Sequence, residues 1–533
     1  MQFRRAVSSA GWEGKPVEFG FWAMATEQPD VLAVVEPDGT EITAGEMLAR
    51  CNQLVHGLRE LGLAHGDAVA TVLPNCADFY AVYLACTQAG WYLVPINNHL
   101  VGPEIAYILE NSEAKALIAH ERFADMSLTA AKEARLDLQR CFAVGQIPGF
   151  ASFDELLAGE STEPPPDRMA GAVMNYTSGT TGRPKGIRRA LNPITPEQAG
   201  LGFGGILMLF GIQPRDDNVH LVGSPLYHTA VLVFSGAALH FGHTVVLMDK
   251  WTPEGMLERI EKYKVTHSHL VPTQFRRMLA LPEEQRNSYD LSSMRHMIHA
   301  AAPCPIDVKR RMIAWWGPVV DEYYAASEGG GTVVSSEEWL KRPGTVGKAW
   351  PISEVSILDE EGKAVGAGQI GTVYMSMPGA EFEYHKDPEK TAANRVGRYF
   401  TVGDLGYLDE DGYLFLCDRK IDMIIWGGTN IYPAEIEGEL VSHPKVIDAA
   451  VFGIPDEEWG ETIKAVVEPV DDVEPSPGPE LEAELIAYLS ERLAKFKVPK
   501  SIDFVAELPR DPNGKLLKRR LRDPYWEGHE RSI

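Results

Sequence analysis

The chain has few means of holding a polyanion and none of crossing a bilayer. Its 533 residues carry 50 basic against 75 acidic side chains, a formal net charge of −25. Phosphate backbones select basic surfaces, so this balance argues against nucleic acid as the main partner. Any anionic ligand has to be met by a local cluster of cations and oriented amides. The longest apolar run, "GFGGILMLFGI" at 202–212, is far shorter than the roughly 20 residues of a membrane span. The N-terminal "MQFRRAVSSAGWEGK" lacks the apolar stretch of a secretory signal. Cysteines stand alone at 51, 76, 86, 141, 304 and 417 with no CxxC pair, which predicts reduced core thiols in a cytoplasmic protein. There is no internal repeat, and the one biased tract, "DDVEPSPGPE" (471–480), reads as a surface loop.

What is present alternates between strand and helix periods. "AVATVLP" (68–74), "WYLVPIN" (91–97) and "TVVLM" (244–248) are continuous apolar runs of strand length. Between the first two, Phe79, Val82, Tyr83, Cys86 and Gly90 share one helical face; a further helix is expected near Pro253–Tyr263, then "VTHSHLV" (265–271). Such units predict an α/β body of mixed, largely parallel sheets covered by helices. After about residue 415 the texture shifts to short strands around helices near 434–440 and 480–494, enough for a small α+β domain.

"NYTSGTTGRPKG" (175–186) concentrates hydroxyls, glycines and one lysine in a segment suited to wrapping phosphates. It is not a Walker loop: Lys185 follows Pro184, and proline disfavours the helical region for Arg183, so no helix opens just before the lysine. Further along come "YYAASEGG" (323–330), "YFTVGDLGYLDEDGYLFLCDRKIDMIIWGGTNIYPAEIE" (399–437) and "LPRDPNGKLLKRRLR" (508–522). With "PLYHTA" (225–230), "AAAPCP" (300–305), "GTVGKAWP" (344–351), "GQIGTV" (368–373), "YHKDPEKTA" (384–392) and "VFGIPDEEWGE" (451–461), nearly the whole chain resembles the adenylate-forming superfamily of acyl-CoA synthetases.

That resemblance implies ATP, Mg²⁺ and coenzyme A as cosubstrates and cofactors, with a small-molecule carboxylic acid activated as acyl-AMP and then passed to a thiol. It implies that Thr177, Ser178, Gly179, Thr180, Thr181 and Lys185 embrace the leaving pyrophosphate, and that Glu328 binds Mg²⁺. Ser327 would touch the α-phosphate, Tyr324 stack on adenine, and Asp404 and Arg419 reach the ribose. Lys515 would bridge the carboxylate and the α-phosphate. Domains are expected at 1–417 and 422–533 about a hinge at 418–421, whose rotation exchanges Lys515 for the Gly427–Gly428 loop lining the pantetheine path. His228, counted with Lys515 and Glu328 in the catalytic set, stands where amino-acid-activating relatives carry aspartate; a neutral imidazole there argues against an α-amino acid and for a gate. Three departures are Ile421 at the pivot, where Asp or Lys is usual, Ala325 for glycine, and Val402 within the Thr-Gly-Asp segment.

Small residues at "GFGGI" (202–206), "SGAAL" (235–239) and "HAAA" (299–302) are expected to line the acyl pocket, which favours a medium- to long-chain or bulky apolar acid and hence lipid metabolism. Transfer to a carrier protein's phosphopantetheine is the nearest alternative. More distant ones are a serine hydrolase, from "AASEG" (325–329), and a non-catalytic nucleotide-binding protein. "KLLKRR" (515–520) reads as a solvated basic face. His267, His269, His296 and His299 near Cys304 lack the convergent spacing of a metal site. The sequence leaves a homodimer open.

Overall fold

The computed structural model describes residues 20–177, 184–379, 381–510 and 516–527. The chain divides into two compact units. One holds the chain up to His269 with Asn287–Met297 and Gly379–Ala393; the other holds Leu270–Arg286, Ile298–Pro378 and the chain from Asn394 onward.

The first unit is built on parallel sheets. Ala151–Ser152, Cys141–Val144, Ala114–His120, Ala68–Val72, Tyr92–Pro95 and Ala172–Val173 lie side by side in that order, every neighbour parallel. Ala68–Val72 is buried throughout, the condition of a strand covered on both faces. The helix Ala77–Ala89 behind it is also buried almost all round and stops where Gly90 turns left-handed at φ 71°. In a second parallel array, Thr244–Leu247 lies between Leu32–Val35 and Val219–Val222, and Val219–Val222 also pairs with the strand at His267. Tyr176–Thr177, Lys185–Arg188 and Glu383–Tyr384 form a small antiparallel group, with Lys185–Arg188 in the middle.

The second unit is mainly antiparallel. Val320–Ala325 and Gly331–Val334 form a hairpin, with Lys348–Ala349 on its outer edge. Asp404–Leu408 and Leu414–Arg419 pair in a second sheet with Gly371–Ser376. Residues 424–504 enclose a core of their own, including Ile424, Ile436, Leu440, Val451, Ile463 and Leu485. Helices Pro433–Val441 and Pro479–Ser490 cover the long hairpin Val446–Asp456/Gly460–Pro469, the latter through Leu481, Leu485 and Leu489 at four-residue spacing. Among the described residues no helix is long and apolar enough to cross a membrane. All six cysteines are free thiols.

Candidate active site

In the first unit, Thr177 and Lys185 are antiparallel cross-strand partners. Ser178, Gly179, Thr180 and Thr181 lie outside the described residues. Lys185 opens the strand Lys185–Arg188. Its Nζ is 2.9 Å from Asp387 Oδ2 and 5.7 Å from the centre of the Tyr384 ring. The hydrogen bond from Lys185 holds the Asp387 carboxyl below its usual range. Burial and the neighbouring Lys185 bring Lys390 down to about 8. Asp387 and Lys390 had no assigned role, although both lie in the quoted run "YHKDPEKTA"; the pairing of Glu383–Tyr384 with Lys185–Arg188 brings them to the lysine.

In the second unit, Tyr324 is the penultimate residue of one strand of the Val320–Ala325/Gly331–Val334 hairpin, and Ser327 and Glu328 occupy its tip. Gly329 N–H donates to Ala326 O at 3.0 Å, and Gly329 and Gly330 take φ values of 124° and 73° to turn the chain. Asp404 and Arg419 are cross-strand partners. Tyr324 O–H donates to Asp404 Oδ2 at 2.6 Å, and Arg419 Nε is 3.4 Å from Asp404 Oδ1. Burial first, then Asp404, push the Tyr324 phenol well above its usual pKa, so it stays a donor. Val402 does not disturb this approach: Gly403 N–H donates to Thr401 Oγ1, which donates to Val373 O, and the strand starts at Asp404. Ala301 adopts a left-handed φ of 73° that alanine takes only under strain.

Beside the expected hinge, Asp418 Oδ2 accepts from Ala434 N–H at 2.8 Å. Lys518 is not part of a solvated face. Its Nζ is 2.8 Å from Glu437 Oε1, only 13% of its side chain is exposed, and its pKa is raised by Glu437, Asp418 and Asp422 against burial. The "KLLKRR" pattern hid this because the acidic partners come from other elements. Lys515 lies outside the described residues.

Gly427 and Gly428 take φ values of 53° and 82°, and Gly427 N–H donates to Trp459 O at 2.8 Å. A Cβ on Gly427 would meet Trp459 Cε3 at 2.7 Å. Trp426 stacks between Trp459 at 4.5 Å and Phe496 at 6.1 Å, and the outer rings are 37% and 39% exposed. This ladder escaped the sequence reading, since its rings come from three separate elements.

His228, in the first unit, precedes the helix Thr229–His240 and packs edge-on against Tyr227 at 4.2 Å. Burial, then His99 and His269, keep its imidazole neutral, and its buried Nε2 has no hydrogen-bond partner among the described residues. Among the described residues no three His, Cys, Asp or Glu side chains converge to hold a metal. In the second unit His299 instead stands 3.6 Å from Glu322, which also pairs with the buried Lys309 at 2.6 Å. A single carboxylate such as Glu328 still suits Mg²⁺, which keeps waters and substrate phosphates as its other ligands.

Residues 21–385 match the AMP-binding enzyme family, and residues 435–515 match the AMP-binding enzyme C-terminal domain. A fatty acid–acyl-carrier-protein ligase from Streptomyces coeruleorubidus is 31% identical over 517 residues, 96% of each chain. A feruloyl-CoA synthase from Amycolatopsis sp is 35% identical over 512 residues, 94% of this chain and 98% of that protein. Among solved structures, ATP-bound MatB from Rhodopseudomonas palustris superposes with a TM-score of 0.81 at 30% identity, covering 96% of this chain and 100% of that one.

Proposed function

Because the chain belongs to the AMP-binding enzyme family, we propose that it activates a medium- to long-chain or bulky apolar carboxylic acid and transfers it to coenzyme A. It is an AMP-forming acid–thiol ligase. In the first step the carboxylate attacks the α-phosphorus of ATP, giving acyl-AMP and pyrophosphate. In the second the thiol attacks the acyl carbon and AMP leaves. A carboxylate is a weak nucleophile repelled by a polyanion, so the protein must neutralise charge and align the attack.

The observation that carries this reading is the Tyr324–Asp404–Arg419 contact beside the Ser327–Glu328 turn. It provides an aromatic face, a carboxylate acceptor and a cation for a nucleoside, with a second carboxylate at the turn. We assign Glu328 to Mg²⁺, which when bound neutralises phosphate charge. Ser327 is assigned to the α-phosphate. Thr177, the residues 178–181 and Lys185 are assigned to the departing pyrophosphate. Asp387 holds the Lys185 ammonium at 2.9 Å, ready to exchange for phosphate oxygens. Lys515 is assigned to the carboxylate and α-phosphate oxygens. The neutral His228 gates the acyl side. We also assign residues 418–421 to a hinge carrying the domain from 422 onward, with Ile421 acting through its backbone torsions.

Free coenzyme A is favoured as acceptor by the Trp459–Trp426–Phe496 ladder beside Gly427, with Lys497 Nζ 6.0 Å from the Phe496 ring. Exposed aromatic faces suit a base, stacking on such a ring being worth roughly 1–3 kcal/mol; Lys497, whose ammonium Glu435 holds at 2.6 Å, would have to exchange that carboxylate for phosphate oxygens. The carrier-protein reading is kept by the Streptomyces relative. The need for ATP and coenzyme A supports a cytoplasmic setting. The test is acid-dependent AMP release with acetate, decanoate, palmitate and ferulate, each with coenzyme A and with a holo-acyl carrier protein. Decanoate, palmitate or ferulate with coenzyme A should be the fastest pair. Preference for acetate defeats the substrate class, and dependence on the carrier protein defeats the acceptor.

A further inference from the structure

Asp448, at the start of the strand Val446–Asp456, is nearly buried between two arginines. Arg276 Nη1 lies 2.9 Å from its Oδ1 and also donates to Ile447 O at 2.7 Å. Arg510 reaches its Oδ2 through Nε and Nη2, both at 2.6 Å. Arg276 sits on the helix Pro272–Leu279, inside the stretch that matches the larger family domain, whereas Asp448 and Arg510 lie inside the stretch that matches the C-terminal domain. All three residues belong to one compact unit. Arg510 also bridges to Leu516, and Leu517 N–H donates to Pro509 O at 2.8 Å, so the two ends of the segment carrying Lys515 are clipped together. Arg277 and Glu507, 3.9 Å apart and exposed, add a weaker pair between the same segments.

We propose that Arg276, Asp448 and Arg510 form a latch that positions the stretch of chain bearing Lys515 for adenylation, through its described ends at Arg510 and Leu516, and that the latch opens before thiolysis. The proposal rests on the ligase reading above. A carboxylate gripped by two guanidiniums away from water is a strong, directional contact, and breaking it leaves an uncompensated buried charge. It therefore suits a two-state element better than an exposed pair does. Arg276, far from Lys515 in sequence, acts as a positioning residue through Asp448 and Arg510.

The test compares half-reactions of the full chain: decanoate-dependent exchange of labelled pyrophosphate into ATP, and coenzyme A-dependent consumption of synthetic decanoyl-adenylate. Lys515→Ala serves as reference. Arg276→Ala and Asp448→Asn should lower exchange by about tenfold or more and leave thiolysis within about twofold, and Arg276→Lys should recover part of the loss. Equal losses in both half-reactions, or unaltered exchange, overturn the latch. Should Asp448→Asn fail to fold, Arg276→Ala decides alone, because it leaves the Asp448–Arg510 pair in place. Amide hydrogen exchange without substrate separates this proposal from the function it rests on. In Arg276→Ala, amides across 505–517 should exchange about tenfold faster while those at Ile424–Trp426 do not change. Unaltered protection across 505–517 overturns the latch even in a chain that activates none of the acids.

Discussion

Asp404 meets a phenol on one oxygen and a guanidinium near the other, Tyr324 O–H at 2.6 Å and Arg419 Nε at 3.4 Å. A charged acceptor in that setting is worth more than a neutral one. Its loss costs about 1.5–3 kcal/mol, so Asp404→Asn should raise KM for ATP roughly 10- to 100-fold with KM for the acid unmoved. Tyr324→Phe removes a neutral donor and should raise KM for ATP about fivefold. Steady-state kinetics varying one substrate at a time checks both, and an unaltered KM for ATP in Asp404→Asn removes it from the nucleotide site. Tyr324, Asp404 and Arg419 were each legible as motif letters, but their mutual contact was not. That contact comes from the cross-strand register of Asp404 with Arg419 and from a hairpin far upstream. Lys309 with Glu322 and Lys518 with Glu437 were hidden for the same reason, since a buried ion pair has no local spacing. The left-handed Ala301 was illegible because nothing in "AAAPCP" marks which alanine takes that conformation.

The helix Pro196–Met208 combines a legible boundary with an illegible face. Thr195 accepts from Gln198 N–H while the Gln198 side chain accepts from Thr195 N–H, and Pro196 stands at the first turn, a start written in the local sequence. Its glycines look alike in sequence and differ in the structure. A Cβ on Gly204 would come within 2.1 Å of Phe241 Cε1, whereas Gly202 and Gly205 face open space. Gly204→Ala should therefore lower stability by about 1–3 kcal/mol through overpacking. Gly202→Ala and Gly205→Ala should raise it by up to about 1 kcal/mol each, as the helix loses backbone freedom in the unfolded chain. Urea unfolding of the three variants checks this, and equal effects at all three positions contradict the face assignment. The strands at Ala68, Tyr92 and Thr244 were legible because double burial makes them uniformly apolar. The short ones at Tyr176, Lys185 and Glu383 were not, because their two to four residues mix polar and apolar side chains and form no apolar run.

For the molecule as a whole, acid acts through two opposed effects. The chain carries −25 at neutrality with a pI near 5.1, so lowering the pH relieves self-repulsion. The first unit, however, buries several neutral histidines, among them His220, His240, His243, His267 and His269. His267 packs against His220 at 4.7 Å and His243 at 5.4 Å, and His220 and His267 face each other on neighbouring parallel strands. Burial is the leading cause of every shift: His220 and His240 fall to about 3, His243 and His269 to about 4, and His267 lies well below the usual value. The unfolded chain titrates its imidazoles near the ordinary value of about 6.5, so between there and the folded values it binds more protons than the native state. Stability is thus complete above that value and drains as the pH falls, by as much as about 1.4 kcal/mol per pH unit for each such histidine. Several histidines acting together outweigh diffuse, salt-screened repulsion among surface carboxylates. The thermal midpoint should fall steadily from about pH 7.5 to about pH 5, with proton uptake on unfolding, and His220→Leu should make that fall shallower. A midpoint that rises over the same interval would mean that charge relief dominates and that the buried imidazoles titrate in the folded chain.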